Sequence, residues 1–310
     1  MRARSTWAAL ALFLLPAAAA VAQEQASGPP PVLVISQEEI KPGSMAAHEK
    51  QVVSYLALFN RANVEGHRLG LVPVSGDDNQ VLYTEAYASF ADFEATRKKG
   101  EEAFAASPAL QAEMEALDRQ TGPMHATQRT LIAAYRPDLS YRPLGADGVG
   151  KSRYFTVTTV RIKAGRANDY EEYTKQYNRA RDKANLDEHT AVYQVITGAS
   201  SGTFISFGAA RSLAEWDDFT RKMQARNKAI DDALGGDLVV KQRRETAEAI
   251  FAESRSSLYA FNPRISRPPA QIAAADPDFW NPKPVTKALA AKKEVKKDTK
   301  ATRETKDTKQ

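Results

Sequence analysis

Apolar and polar positions fall into the same order of patterns twice along this chain. Each pass opens on a β-branched or apolar run, Val32-Leu33-Val34-Ile35 and then Phe155-Thr156-Val157-Thr158-Thr159-Val160, which predicts a strand. A turn containing Gly43 or Gly165 follows, and then helical spacing. In the first pass Val52, Tyr55, Leu56 and Phe59 fall at i, i+3, i+4 and i+7 behind Ser44 as N-cap, and in the second Tyr170, Tyr173 and Tyr177 mark the same stripe. Next come two hairpins, Leu69 to Val74 with Val81 to Tyr87, and Ala191 to Ile196 with Thr203 to Phe207. Their turns are rich in Gly, Asp, Asn and Ser. A second helix begins at Ser89-x-x-Asp92 or Ser212-x-x-Glu215, the spacing of a capping box. Further helical sequence, broken near Ser107-Pro108 and Gly235-Gly236, leads to a last strand, Arg129 to Tyr135 or Arg255 to Phe261.

Identities support reading the two passes as a repeat. At an offset of 122, Ile40-Lys41-x-Gly43 matches Ile162-Lys163-x-Gly165. Glu49, Tyr55, Ala62-Asn63 and His67 match Glu171, Tyr177, Ala184-Asn185 and His189. The predicted order is therefore β-α-β-β-α-β twice, with extra helix before each final strand. That is two tandem ferredoxin-like units, each an antiparallel sheet with helices on one face. The expected divisions are a leader over 1–22, a linker over 23–31, a first unit over 32–143, a Gly-rich linker over 144–153, a second unit over 154–268, and an extended Pro/aromatic segment with a disordered Lys-rich tail over 269–310.

The strand, the Ile-Lys-x-Gly turn, the aromatic-striped helix and the hairpin-helix-strand that follows resemble the dimeric α+β barrel superfamily. That group includes antibiotic-biosynthesis-monooxygenase-like and NIPSNAP-like proteins. The resemblance spans both units. It implies an α+β fold in which the chain is a single-chain pseudo-dimeric α+β barrel, with pockets between each sheet and its helices.

Composition narrows the compartment and the partners. Arg2 and Arg4, a short apolar run from Trp7 to Leu15, Pro16 and the small residues Ala20-Val21-Ala22 predict a cleaved secretory leader and an exported, periplasmic or secreted product. The chain has no cysteine, which excludes disulfides and thiolate chemistry. The net charge of +5 misleads. Lys287 to Gln310 holds nine Lys or Arg against four acids, and the leader adds two cations, so the remainder is slightly acidic. A nucleic-acid partner is not expected, because the basic charge lies off the fold. The tail reads equally well as an anchor to anionic envelope polymer or lipid and as a solubilising segment.

Gly145-Ala146-Asp147-Gly148-Val149-Gly150-Lys151-Ser152 fits the letters of a phosphate-binding loop. It lacks a preceding buried strand and runs straight into a strand, so a linker without ATP is expected. Catalytic candidates are sparse. His67 and His189 recur before the second strand of each unit, and Glu85 lies on the third strand of the first unit only, Gly208 standing in the second. Each also reads as structural: the histidines as turn caps, Glu85 as an exposed strand position. Tyr55, Tyr83 and Tyr177 are candidates to line a ligand pocket. No metal site and no cofactor are expected, since no second ligand stands at metal spacing from either histidine. The first functional reading is a non-enzymatic binder of a small apolar or aromatic ligand. The alternatives are an enzyme resembling cofactor-independent monooxygenases or haem-degrading proteins, and an envelope-associated interaction protein working through its tail.

Overall fold

The computed structural model describes residues 28–282. The predicted leader and Lys-rich tail lie outside the described residues. The apolar runs become strands somewhat longer than their hydrophobic centres. In the first half these are β1 (Val32–Ile40), β2 (Leu69–Ser75), β3 (Gln80–Tyr87) and β4 (His125–Tyr135); in the second, β5 (Tyr154–Ile162), β6 (Ala191–Thr197), β7 (Thr203–Ala210) and β8 (Phe251–Phe261). Strands β4 and β8 start four residues earlier than their apolar patterns, which places His125 inside the sheet.

All pairings are antiparallel, and the strands close into a barrel in the order β1-β3-β2-β8-β5-β7-β6-β4. Within each half the order is that of a ferredoxin-like sheet, β4-β1-β3-β2 and β8-β5-β7-β6. Two seams join the halves, β2 to β8 and β4 to β6. Each seam uses the same pair of positions in its half. Closure leaves no free sheet edge, which removes the usual route to edge-to-edge association.

Alternation does the rest. Leu33 and Ile35 of β1 point into the barrel with Leu71, Leu131, Phe155, Val157, Tyr193, Ile205, Phe207 and Tyr259 from the other strands. Val32 and Val34 point outward, toward Tyr87 and Phe93. The outer face is covered by helices. The first half carries α1 (Met45–Arg61), α2 (Phe90–Ala105) and α3 (Pro108–Thr121). Between the halves runs α4 (Ala146–Lys151), and the second half carries α5 (Ala167–Lys183), α6 (Leu213–Leu234) and α7 (Asp237–Ile250).

The repeated residues have conformational reasons. Gly43 and Gly165 have φ of 83° and 77°, and Asn63 and Asn185 have φ of 51° and 49°. These left-handed positions disfavour β-branched and bulky residues, so both halves use Gly and Asn there. The capping signature is also met, in altered form. Ser89 Oγ accepts from the Asp92 N–H, while Asp92 returns to the N–H of Ala88 rather than of Ser89. In the second half Glu215 accepts from the Arg211 N–H, but Ser212 makes no side-chain cap, and neither does Ser44.

Two segments differ from expectation. Gly145 to Ser152 is not a flexible linker, because it folds into α4 and packs on the C-terminal segment. Lys151 pairs with Asp147, and the Ser152 hydroxyl donates to the Gly148 carbonyl, so neither side chain is arranged around a phosphate. Residues 269–282 are not extended. They form two short helices, α8 (Ala270–Ala275) and α9 (Pro277–Trp280), which plug one end of the barrel. Trp280 is 3% exposed, stacks edge-on to Phe261 and donates its indole N–H to the Gly150 carbonyl at 2.8 Å. Among the described residues, no helix is long and apolar enough to cross a membrane.

Candidate functional site

The outward face of β1 carries Val32, Val34, Ser36, Glu38 and Ile40 in alternation. Glu38 is thus held on the layer between sheet and helix, flanked by an apolar residue on the next turn of the pleat. On α1, His48 sits four residues before Val52 and joins the stripe that faces the sheet; it is 2% exposed. His125 enters at the first residue of β4, paired with Ile40. These three elements bring Glu38 Oε2 to 3.1 Å from His125 Nε2 and 3.5 Å from His48 Nε2. The two imidazoles meet edge to face with centroids 5.1 Å apart.

Neighbours fix each group. The His125 Nδ1–H donates to the Thr121 carbonyl at 2.8 Å, so Nε2 is the nitrogen turned toward Glu38. Gln128, opposite Glu38 in the β1–β4 register, donates to Glu38 Oε1 at 3.1 Å. Gln51 bonds the Leu117 carbonyl and the Thr121 hydroxyl, bracing the turn that holds His125. Tyr83, on the outward face of β3, places its hydroxyl 3.0 Å from His48 Nε2. Burial pushes the His48 imidazole down, with Glu38 opposing; burial and then the Glu38 charge push the Tyr83 phenol well above its usual range.

The second half shows that the fold does not need this polar cluster. The barrel registers equate Ile40–His125 with Ile162–Phe251 and Ser36–Tyr83 with Thr158–Ser206. Glu38, His48 and His125 are thereby replaced by Val160, Tyr170 and Phe251. The last two pack edge to face at 5.9 Å within an apolar cluster. Burying a carboxylate and two imidazoles where aromatics suffice costs free energy.

Two cavities lie nearby. One, of about 280 Å³, occupies a mouth of the barrel. Its walls include Leu33, Leu69, Phe155, Tyr193 and Phe207 from the interior, with Val149 of α4 and Ile272 of α8 roofing it. The other, of about 300 Å³, lies between the sheet and helices of the first half and is lined by Leu56, Phe59, Gly66, Phe104, Arg97 and Glu85 among others. Both share His67, Arg68 and Tyr87. In the second half the positions 122 residues beyond Phe59 and Gly66 are Arg181 and Glu188, which pair at 3.0 Å, and Glu188 also binds Arg226. Gly66, at the position of Glu188, lines the open cavity of the first half.

The residues favoured from sequence are dispersed. His67 does line both cavities, its imidazole pushed down by burial and by Arg267. His189 is at the surface with Nδ1 on the Arg142 carbonyl and lines neither. Glu85 is not a simple exposed strand position, since it pairs with Arg68 at 2.6 Å and accepts from the Tyr87 hydroxyl at 2.9 Å. Neither cavity is lined by Tyr55, Tyr83 or Tyr177, and their hydroxyls explain why. Tyr55 donates to Asp118 on α3, Tyr83 is buried against His48, and Tyr177 accepts from Arg226. No metal site was expected because no second ligand stands at metal spacing from His67 or His189; the structure brings together a different set, Glu38, His48 and His125, which the sequence separates by up to 87 residues.

No family model matches the chain, and no curated protein matches it. Among solved structures, it is similar to an anthrone oxidase-like protein, with 13% identity, a TM-score of 0.46, and coverage of 74% of this chain and 91% of that one. It is similar to a chain described as a monooxygenase candidate from Lactobacillus acidophilus, with 8% identity, a TM-score of 0.41, and coverage of 75% and 94%. Chlorite dismutase from Candidatus Nitrospira defluvii gives 10% identity, a TM-score of 0.44, and coverage of 82% and 99%. The chain is a mixed α+β protein built on an eight-stranded antiparallel barrel, and its structural neighbours are monooxygenase-like and chlorite dismutase-like; none of them lends it an activity.

Proposed function

We propose that this protein binds a small apolar or aromatic molecule in the barrel-mouth cavity. The observation that carries this reading is the cavity of about 280 Å³ walled by Leu33, Leu69, Phe155, Phe207 and Ile272, with Arg68 and Gln271 as polar contacts at its edge. Concave apolar walls with a few polar groups are the usual make-up of a small-molecule site. The site differs from the sheet–helix pocket expected from sequence, because closing the barrel buries the inner face and leaves one mouth incompletely filled. A saturable fluorescence titration with N-phenyl-1-naphthylamine tests it. One site is expected in the full chain and in a chain ending at Asn281, and none in Leu69→Trp, whose indole occupies the cavity. Equal binding by Leu69→Trp overturns the reading.

An enzyme of monooxygenase-like or haem-degrading kind is the second reading. It is favoured by Arg68, Tyr87 and His67 on the wall shared by the two cavities, with Glu85 bound to the first two and lining the sheet–helix cavity. It requires oxygen consumption or haem loss that falls in Glu85→Ala or His67→Ala. Two further proposals complete the account. The halves derive from duplication of one ferredoxin-like unit, supported by matched left-handed Gly and Asn positions and matched pairings. The chain is exported, with a leader cleaved after Ala22 and a tail, Lys287 to Gln310, that either tethers it to anionic envelope material or keeps it dispersed.

A further inference from the structure

Three side chains that could each give a lone pair converge in a closed space between β1, α1 and β4. We propose that Glu38, His48 and His125 form a site for one divalent first-row transition-metal ion of the zinc class, held through Glu38 Oε2 and the Nε2 atoms of both histidines.

Four observations carry this. First, the donor set of two imidazoles and one carboxylate is one that zinc and non-haem ferrous ions share. Second, the donor spacing suits an ion. The distances of 3.1 and 3.5 Å from Glu38 Oε2 to the two nitrogens bracket the edge of a tetrahedron. Donors at ~2.0–2.1 Å from a tetrahedral ion lie ~3.3–3.4 Å apart. Third, an outer ring already orients the donors. The Thr121 carbonyl takes the His125 Nδ1–H, and Gln128 holds the other oxygen of Glu38. Ligating histidines and carboxylates are ordinarily braced in this way. Fourth, Val160, Tyr170 and Phe251 replace all three donors in the second half, so packing alone does not call for them. Tyr83, with its hydroxyl 3.0 Å from His48 Nε2, is the polar group beside the position left for a fourth, exchangeable ligand.

This inference is independent of the cavity reading, because none of the three donors lines either cavity. The full chain is stripped with chelator, dialysed and titrated with zinc, and with cobalt as a visible-absorption probe. One zinc per chain retained through gel filtration, a thermal midpoint raised by zinc, and cobalt bands of a four-coordinate ion are expected. Glu38→Gln and His48→Gln should each weaken zinc binding by at least ~100-fold, beyond the 10–100-fold typical of outer-ring losses. His189→Gln should not change it. Should the buried variants fail to fold, X-ray absorption on the zinc-loaded natural chain decides. Two imidazole nitrogens and one carboxylate oxygen within ~2.0–2.2 Å support the site. Zinc no more than weakly held, zinc unaffected by Glu38→Gln, or a shell without imidazole overturns it and leaves a metal-free hydrogen-bonded cluster.

Discussion

Trp280→Ala separates a docked C-terminal segment from a merely adjacent one. The indole is 3% exposed, contacts Phe261 and Phe279, and bonds the Gly150 carbonyl of α4. Truncating a buried Trp to Ala costs about 3–5 kcal/mol, and a neutral hydrogen bond adds about 1 kcal/mol. The full sum is not expected in global unfolding, because the chain has a cheaper response. Segment 270–282 can lift away as a unit, so the loss is capped at the free energy of docking it. The variant should therefore lose about 2–4 kcal/mol in urea unfolding. Chymotrypsin should cut it at Phe279 under native conditions, where the natural chain resists. Release also removes Ile272, one wall of the barrel-mouth cavity, so N-phenyl-1-naphthylamine affinity should fall with it. A variant with unchanged urea midpoint and unchanged protection would refute the account of Trp280 as the plug.

Four more outcomes follow from the same structure. Burial opposes ionisation of Glu188, but Arg226 and Arg181 outweigh it and hold the carboxyl below its ordinary value of 4.5. A depressed folded pKa gives stability that is complete above the unfolded value and is lost as pH falls through the folded one. Glu188→Gln should thus flatten the acid limb of a stability profile below pH 4.5 and cost about 1–3 kcal/mol at neutral pH. Gly43→Ala meets open space at a φ of 83°, so it should cost only the backbone strain of about 1–2 kcal/mol. Gly198→Ala should lower the urea midpoint further, because its Cβ would stand 2.1 Å from the Thr130 carbonyl at the β4–β6 seam. His67 is pushed down by burial and Arg267, so it stays neutral in the fold at neutral pH and its stability contribution is present above about 6.5 and lost as pH falls. His67→Gln should remove that part of the slope, read by thermal unfolding from pH 7 to pH 5.

Much of the fold was legible because it rests on local chemistry. Strands β1 to β3 and β5 to β7 were marked by β-branched and apolar runs, and the first turns by Gly43 and Gly165, whose backbone angles constrain the residue type. The seams β2–β8 and β4–β6 were not legible, since pairing between strands of different halves leaves no trace in either strand. The conversion of 269–282 from an extended stretch to a plug was half legible. Phe279 and Trp280 signalled burial, but the Pro-rich setting concealed two helical turns. The Glu38 cluster was missed through the choice of signal. His67 and His189 stood out because they recur, whereas His48 was visible only as a polar residue four positions before Val52 on an apolar stripe. Glu38 was visible likewise, as a charge on the outward face that ends in Ile40.

That miss has a physical lesson about two halves that share a topology. A residue present at the same place in both halves answers a requirement of the shared topology, as Gly43 and Gly165 do at one turn. A polar group buried in one half, where the other buries an aromatic or aliphatic side chain, answers no such requirement. Val160, Tyr170 and Phe251 fill the second-half position by packing alone. The first half carries Glu38, His48 and His125 there and also has a cavity lined by Gly66, where its counterpart has Glu188 in an ion cluster. Both departures fall in one sheet–helix layer, and both are unfavourable for stability: a desolvated polar cluster and an unfilled cavity. Marginal stability tolerates few such costs without a return in function. The asymmetry therefore singles out the sheet–helix layer of the first half, where the proposed metal site lies, as the place where packing alone does not account for the residues.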